Sequence, residues 1–137
     1  MHNPAAFSLE GKTAVVAGAS RGIGAAIASG LQASGAKVFG LSRTGTAPSH
    51  VTAVKCDLAD DAAIGSVFDH LAKAGERLDV LVNAAGISLP ASATMSELRR
   101  FRDTLAVDLS GVYATILAAH PLLKRAGGGS IINVTSI

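Results

Sequence analysis

Cysteine is almost absent from this sequence: Cys56 is the only one in 137 residues. No internal disulfide can form, and a lone thiol agrees with a reducing compartment. Aromatic residues are scarce too, at 4% of the chain against an apolar fraction of 49%. Ala, Val, Leu, Ile and Gly carry that apolar content. Small apolar residues with many glycines suit helices packed tightly on a sheet, and they exclude the polar, charged composition of a disordered segment. The length fits one domain of ordinary size.

Blocks of like charge are also missing. Twelve Lys and Arg face ten Asp and Glu, for a net charge of +2. No run of basic residues forms the clustered patch that nucleic acid requires, so no nucleic-acid partner is expected. Residues 1–10 lack the basic start and apolar stretch of a secretory signal. The most apolar stretch, 112–123, is interrupted by Thr115, His120 and Pro121, whereas a membrane span needs roughly 20 apolar residues. A soluble, cytoplasmic protein with no membrane partner is expected. His50, His70 and His120 have no metal-ligand spacing with Cys or carboxylates, and His2 sits in the amino-terminal tail, so no metal is expected.

What the chain does contain is an alternation of short apolar runs with helical patterns, the sequence sign of βαβ units and a parallel sheet. Strands are predicted at 12–17 (KTAVVA), 37–41 (KVFGL), 51–55, 78–82 (LDVLV) and 130–134 (SIINV). A helix over 22–34 carries Ile23, Ile27 and Leu31 at helical spacing and ends at Gly35 as a C-cap would. Asp60 and Asp61 open a second helix at the positive end of its dipole. Its apolar stripe is Ile64, Val67, Phe68 and Leu71, and Gly75 closes it. A long helix over 96–125 includes Pro121, where a bend or fraying is expected. The fold class is therefore α/β, a Rossmann-type doubly wound parallel sheet in the order 3-2-1-4-5.

Between the first strand and the first helix lies Gly18-Ala19-Ser20-Arg21-Gly22-Ile23-Gly24. Glycines let the backbone turn sharply and approach a pyrophosphate, and the amides and dipole of the following helix favour the anion. The spacing is G-x-x-x-G-x-G, and its place after a strand and before a helix makes dinucleotide binding a better reading than a simple tight turn.

This loop resembles the cofactor loop of the short-chain dehydrogenase/reductase family, written T-G-x-x-x-G-x-G, with Ala17 in place of the Thr. Other marks follow in register. Cys56-Asp57-Leu58 ends the third strand, where the resemblance implies an Asp that hydrogen-bonds the adenine ring. Asn83-Ala84-Ala85-Gly86 is similar to the family's N-A-G motif. Singly, Asp57 could lead a helix and Asn83 could serve a turn, but both fall at carboxyl ends of strands, where open sheets bind ligands. The cofactor-binding set is thus Gly18, Ser20, Arg21, Gly22, Ile23, Gly24, Ser42, Arg43, Cys56, Asp57, Leu58, Asn83, Ala84, Ala85 and Gly86.

The end of the second strand separates the two nicotinamide cofactors. An acidic residue about 20 positions past the glycine loop would hold the ribose 2′-hydroxyl of NAD. This chain has Ser42 and Arg43 there: no carboxylate repels a 2′-phosphate, and a guanidinium is placed to pair with it. Arg21 adds a second positive charge. NADP(H) is expected in preference to NAD(H).

The resemblance implies hydride transfer between nicotinamide and a carbonyl or alcohol carbon. A Tyr passes the proton, a Lys lowers its pKa and a Ser hydrogen-bonds the substrate oxygen. Ile132-Asn133-Val134-Thr135-Ser136-Ile137 resembles the family's fifth strand and puts Ser136 in the serine's place. A strand-end serine capping the next turn is the alternative; the register of the preceding motifs favours the catalytic role, which still needs a partner base. The family's Y-x-x-x-K pair is missing: the only tyrosine is Tyr113, followed four residues on by Leu117, and it is expected to pack along the long helix. Asp108 stands where the family commonly has Asn in the proton relay. Either the relay is rearranged, or Asp108 is protonated in a buried site.

The expectation is the NADP(H)-binding amino-terminal portion, 1–137, of an oxidoreductase similar to 3-oxoacyl-(acyl carrier protein) reductases, truncated before the Tyr-x-x-x-Lys helix. Its partners would be a small-molecule carbonyl or alcohol substrate and further copies of itself, as dimer or tetramer. A non-catalytic dinucleotide-binding module and a structural subunit remain the alternatives.

Overall fold

In a computed structural model, residues 7–136 are described; His2 and Ile137 lie outside the described residues. The elements run β1 (Thr13–Ala17), α1 (Gly22–Ala33), β2 (Lys37–Ser42), β3 (Thr52–Lys55), α2 (Asp61–Lys73), β4 (Val80–Asn83), α3 (Glu97–Leu105), a π-helical segment (Ala106–Gly111), α4 (Val112–Arg125) and β5 (Ser130–Asn133). All strand pairs are parallel, in the order β3-β2-β1-β4-β5. The fold class is as the alternating pattern implies, and element ends differ from expectation by a residue or two.

β1 is central and wholly buried, which explains its unbroken apolar run: a strand covered on both faces has no polar side. Its side chains divide between two cores by strict alternation. Val15 joins Leu41, Ile64, Phe68, Leu81 and Ala119 on the face covered by α2 and α4. Ala14 and Val16 join Ala28, Val38 and Val82 under α1. Burying a side chain such as Phe68 contributes about 1.5–3 kcal/mol.

Three expectations need correction. Ile23 is 64% exposed rather than part of the apolar stripe of α1; the helix turns Gly24 and Ala28 inward instead. Tyr113 is 63% exposed on α4 rather than packed. The helix continues through Pro121 to Arg125, so the fraying alternative does not hold there, and a π-helical segment lies ten positions or more upstream.

The whole helix Glu97–Arg125 is long and apolar enough, by length and composition, to cross a membrane, more than the stretch 112–123 implied. Arg99, Arg100 and Arg102 crowd its first turns, and Thr115, Ala119, Leu122 and Leu123 are buried. Within this fold its α4 part packs on the sheet and on α2, while Glu97–Leu105 buries no residue.

Candidate functional site

In a parallel sheet every strand delivers the chain to the same end, and crossovers leaving on opposite faces open a crevice between neighbouring strands. Here that crevice falls between β1 and β4. The loops after β1, β2, β3 and β4 surround one cleft of about 370 Å³.

The loop after β1 is pinned to β2: the amides of Gly18 and Ala19 both donate to the Leu41 carbonyl, at 2.9 and 3.1 Å. Gly18 has φ +87° and Gly22 φ +58°, left-handed values that a β-carbon disfavours. A Cβ on Gly24 would run into the Gly18 carbonyl, so only glycine lets α1 start this close to the loop. The N-cap of α1 is Arg21, whose side chain makes no capping bond, and its first turn has no acidic residue. α2 and α3, by contrast, are capped by the side chains of Asp60 and Ser96. The positive end of α1 is therefore turned to the cleft with no carboxylate of its own, which suits an anion.

At the end of β2 the Ser42 hydroxyl is committed locally. It accepts from the Thr46 amide at 2.9 Å and donates to the Thr46 carbonyl at 2.8 Å. That closed turn displays Arg43 to solvent at the cleft. Neither Arg43 nor Arg21 has an ion-pair partner among the described residues. Two unneutralised guanidiniums thus line the same cavity as the glycine loop.

After β3, the Cys56 amide donates to the Ser42 carbonyl at 2.9 Å. Burial pushes the Cys56 thiol pKa up, and the charges of Asp57 and Asp60 add to the rise, so the sulfur stays protonated and unreactive. Asp57 Oδ1 accepts from the Ala59 amide at 2.9 Å, the local turn that a carboxylate at this position can make.

The end of β4 differs from expectation in one respect. Asn83 is 3% exposed and is occupied by protein partners: its Nδ2 donates to Asn133 Oδ1 at 2.9 Å, and its Oδ1 accepts from Thr115 Oγ1 at 2.7 Å. The side chain ties β4, β5 and α4 together and is not part of the cleft wall. Ala84, Ala85 and Gly86 do line it. So do Leu41, Ile87 and Val107, which the sequence reading missed; Ile87 follows the Asn83–Gly86 motif directly, the one local signal available. Thr115 was also missed, because a threonine in mid-helix has no marker until its buried partner is known.

Every residue expected to hold a cofactor, Asn83 excepted, lines this one cleft. Ser136 lies exposed three positions beyond β5 and is not in the wall. Asp108 is exposed, in the π-helical segment, so the buried-acid alternative does not describe this structure. Its Oδ1 accepts from the Ile87 amide at 2.8 Å. Among the described residues no group of three His, Cys, Asp or Glu could hold a metal ion.

The sequence matches the short chain dehydrogenase family model over residues 12–137. The chain belongs to the short-chain dehydrogenase family. Among its relatives is D-threitol dehydrogenase of Mycolicibacterium smegmatis, 36% identical over 141 residues that cover 95% of this chain and 54% of that protein. The 3-oxoacyl-(acyl-carrier-protein) reductase FabG of Salmonella typhimurium is 32% identical over 139 residues, 96% of this chain and 57% of that protein. Among solved structures, the NADP active-site complex of RhlG from Pseudomonas aeruginosa superposes with a TM-score of 0.82 at 34% identity, covering 99% of this chain and 58% of that one. This short-chain dehydrogenase sequence spans about half the length of the curated relatives it matches.

Proposed function

We propose that this chain is the NADP(H)-binding portion of an oxidoreductase that moves hydride between the nicotinamide and a carbonyl or alcohol substrate. The observation that carries the cofactor choice is the pair Arg21 and Arg43, both exposed, both without an ion-pair partner among the described residues and both lining the glycine-loop cleft. No carboxylate occurs between Leu41 and His50 to repel a 2′-phosphate. The residues fit such a ligand: an uncapped helix start for the pyrophosphate, a guanidinium fork for the extra phosphate, and a loop packed so closely on Ala85 and on the start of α1 that neither Gly18 nor Gly24 has room for a Cβ. The NADP complex of the similar RhlG supports the same reading.

In this reading Gly18, Ser20, Gly22, Ile23 and Gly24 seat the pyrophosphate, and Arg21, Ser42 and Arg43 surround the adenosine ribose. Cys56, Asp57 and Leu58 flank the adenine, and Ala84, Ala85 and Gly86 form the floor. Asn83 acts from behind, by holding β4 and β5 in register. When bound, the cofactor supplies or accepts the hydride. Ser136 donates a hydrogen bond to the substrate oxygen; in the family the acid–base step belongs to a Y-x-x-x-K pair, a pattern that does not occur in these 137 residues. Substrate class, carbonyl or alcohol, follows from the family chemistry, with the 3-oxoacyl reductases among the similar proteins.

Titration with NADPH and NADH tests this. Arg43→Asp is expected to weaken NADPH binding by about tenfold or more, the scale of a lost charge-assisted pair, while NADH binding holds or improves. An unchanged preference would remove Arg43 from the site.

A further inference from the structure

We infer that the Asp108 carboxylate tilts the cleft toward the oxidised, cationic form of the nicotinamide cofactor. This rests on the dinucleotide reading above. The strand order β3-β2-β1-β4-β5 puts Arg43, after β2, on one side of the glycine loop, and Gly86 and Ile87, after β4, on the other. With the 2′-phosphate at Arg43 and the pyrophosphate over the loop, the nicotinamide half belongs at the β4 side. Asp108 stands directly behind that wall. Its Oδ1 takes the Ile87 amide at 2.8 Å and lies 3.6 Å from where a Cβ on Gly86 would be.

The carboxylate has no ion-pair partner among the described residues: the acids so paired are Glu76, Asp79 and Asp103. Its one side-chain hydrogen bond among the described residues comes from a neutral amide, so none of them compensates the negative charge by pairing with it. An oxidised nicotinamide ring carries a positive charge and a reduced one carries none. A fixed negative charge behind the wall therefore favours the oxidised form, through a partly exposed medium that weakens the effect without cancelling it. An Asn at this position, common in the family, would accept from the Ile87 amide equally well but bring no charge. The bond positions the wall, and the charge sets the preference between redox states. By linkage, a bound NADP⁺/NADPH pair is drawn toward its oxidised member by the same factor.

Asp108→Asn separates the two roles, since it keeps the acceptor and removes the charge. Dissociation constants for NADP⁺ and NADPH are measured by calorimetric titration of both proteins at low and high salt. The variant is expected to lose about three- to tenfold in NADP⁺ affinity, with NADPH affinity within about twofold of the parent. In the parent protein, the ratio of NADP⁺ to NADPH affinity should fall as salt is raised, and this needs no variant to fold. An unchanged ratio in Asp108→Asn, together with a salt-independent ratio in the parent, overturns the inference and leaves the cofactor site standing. Failure of the parent to bind either form overturns both.

Discussion

Gly18 and Ala85 meet backbone to backbone across the mouth of the cleft: a Cβ on Gly18 would come within 2.6 Å of both the Cα and the N of Ala85. The loop after β1 and the loop after β4 are thus packed with no room for even one methyl group. Two segments far apart in sequence depend on one missing side chain.

Gly18→Ala should therefore do double damage. The new methyl meets backbone, which cannot rotate away, and the residue keeps a φ of +87° that alanine resists. A loss of about 2–4 kcal/mol in unfolding free energy is expected from urea titration. Dinucleotide affinity should fall with it, because relief of the clash requires the two loops to part. A variant as stable and as tight-binding as the parent would show that the loops adjust freely.

Thr115→Val tests the tie behind the cleft. Thr115 is fully buried, and its single hydroxyl proton is shared between Asn83 Oδ1 at 2.7 Å and the Val112 carbonyl at 2.8 Å. Valine keeps the shape and leaves a buried amide oxygen short of a donor, a cost of about 1–3 kcal/mol. Thr115→Ser, which restores the hydroxyl, should recover most of it in the same denaturation assay.

Acid sensitivity is expected at the opposite end of the sheet. Asp79 is buried; it accepts from Arg77 Nε and the Thr13 amide, at 2.8 and 2.9 Å, and Lys12 stands 3.8 Å away. The Arg77 guanidinium, above all, holds its carboxyl below the ordinary range, and the Thr13 amide and Lys12 assist against the opposing effect of burial. Because the folded pKa is the lower one, the unfolded chain takes up the proton first. The contribution is complete above the ordinary value of about 3.9 and drains away as pH falls from there toward the folded pKa. Asp79→Asn should cost about 1–3 kcal/mol at pH 7 and flatten the stability profile below pH 4, as followed by denaturant midpoints across pH.

Self-association is the fourth expectation. Phe101, Leu109, Tyr113 and Leu117 are all more than half exposed along the helix Glu97–Arg125, a larger apolar display on one element than solvent favours. The double variant Tyr113→Asp and Leu117→Asp should shift sedimentation toward the monomer. Unaltered sedimentation of an associating parent would move the interface elsewhere.

Local rules made much of this molecule legible before any coordinates. β-branched runs between glycines announce buried strands, and a period near 3.6 announces the helices of this α/β fold. The spacing of Gly18, Gly22 and Gly24 marks an anion loop because left-handed turns and close backbone approach are properties of glycine itself. Since parallel strands all end on one side, residues named one motif at a time came together in one cleft. Where the sequence reading stopped short, the deciding partner was distant. Asn83 stands in a cofactor motif, yet its amide is spent on Thr115 and Asn133, 32 and 50 positions away. Ile23 has helical spacing, but the close seat of α1 turns Gly24 inward and leaves Ile23 at the cleft. Asp108 became a clasp on Ile87 only through the π-helical segment that presents it. Periodicity encodes which face of an element is apolar; which donor a polar side chain meets depends on the register and approach of elements that only the assembled sheet brings together.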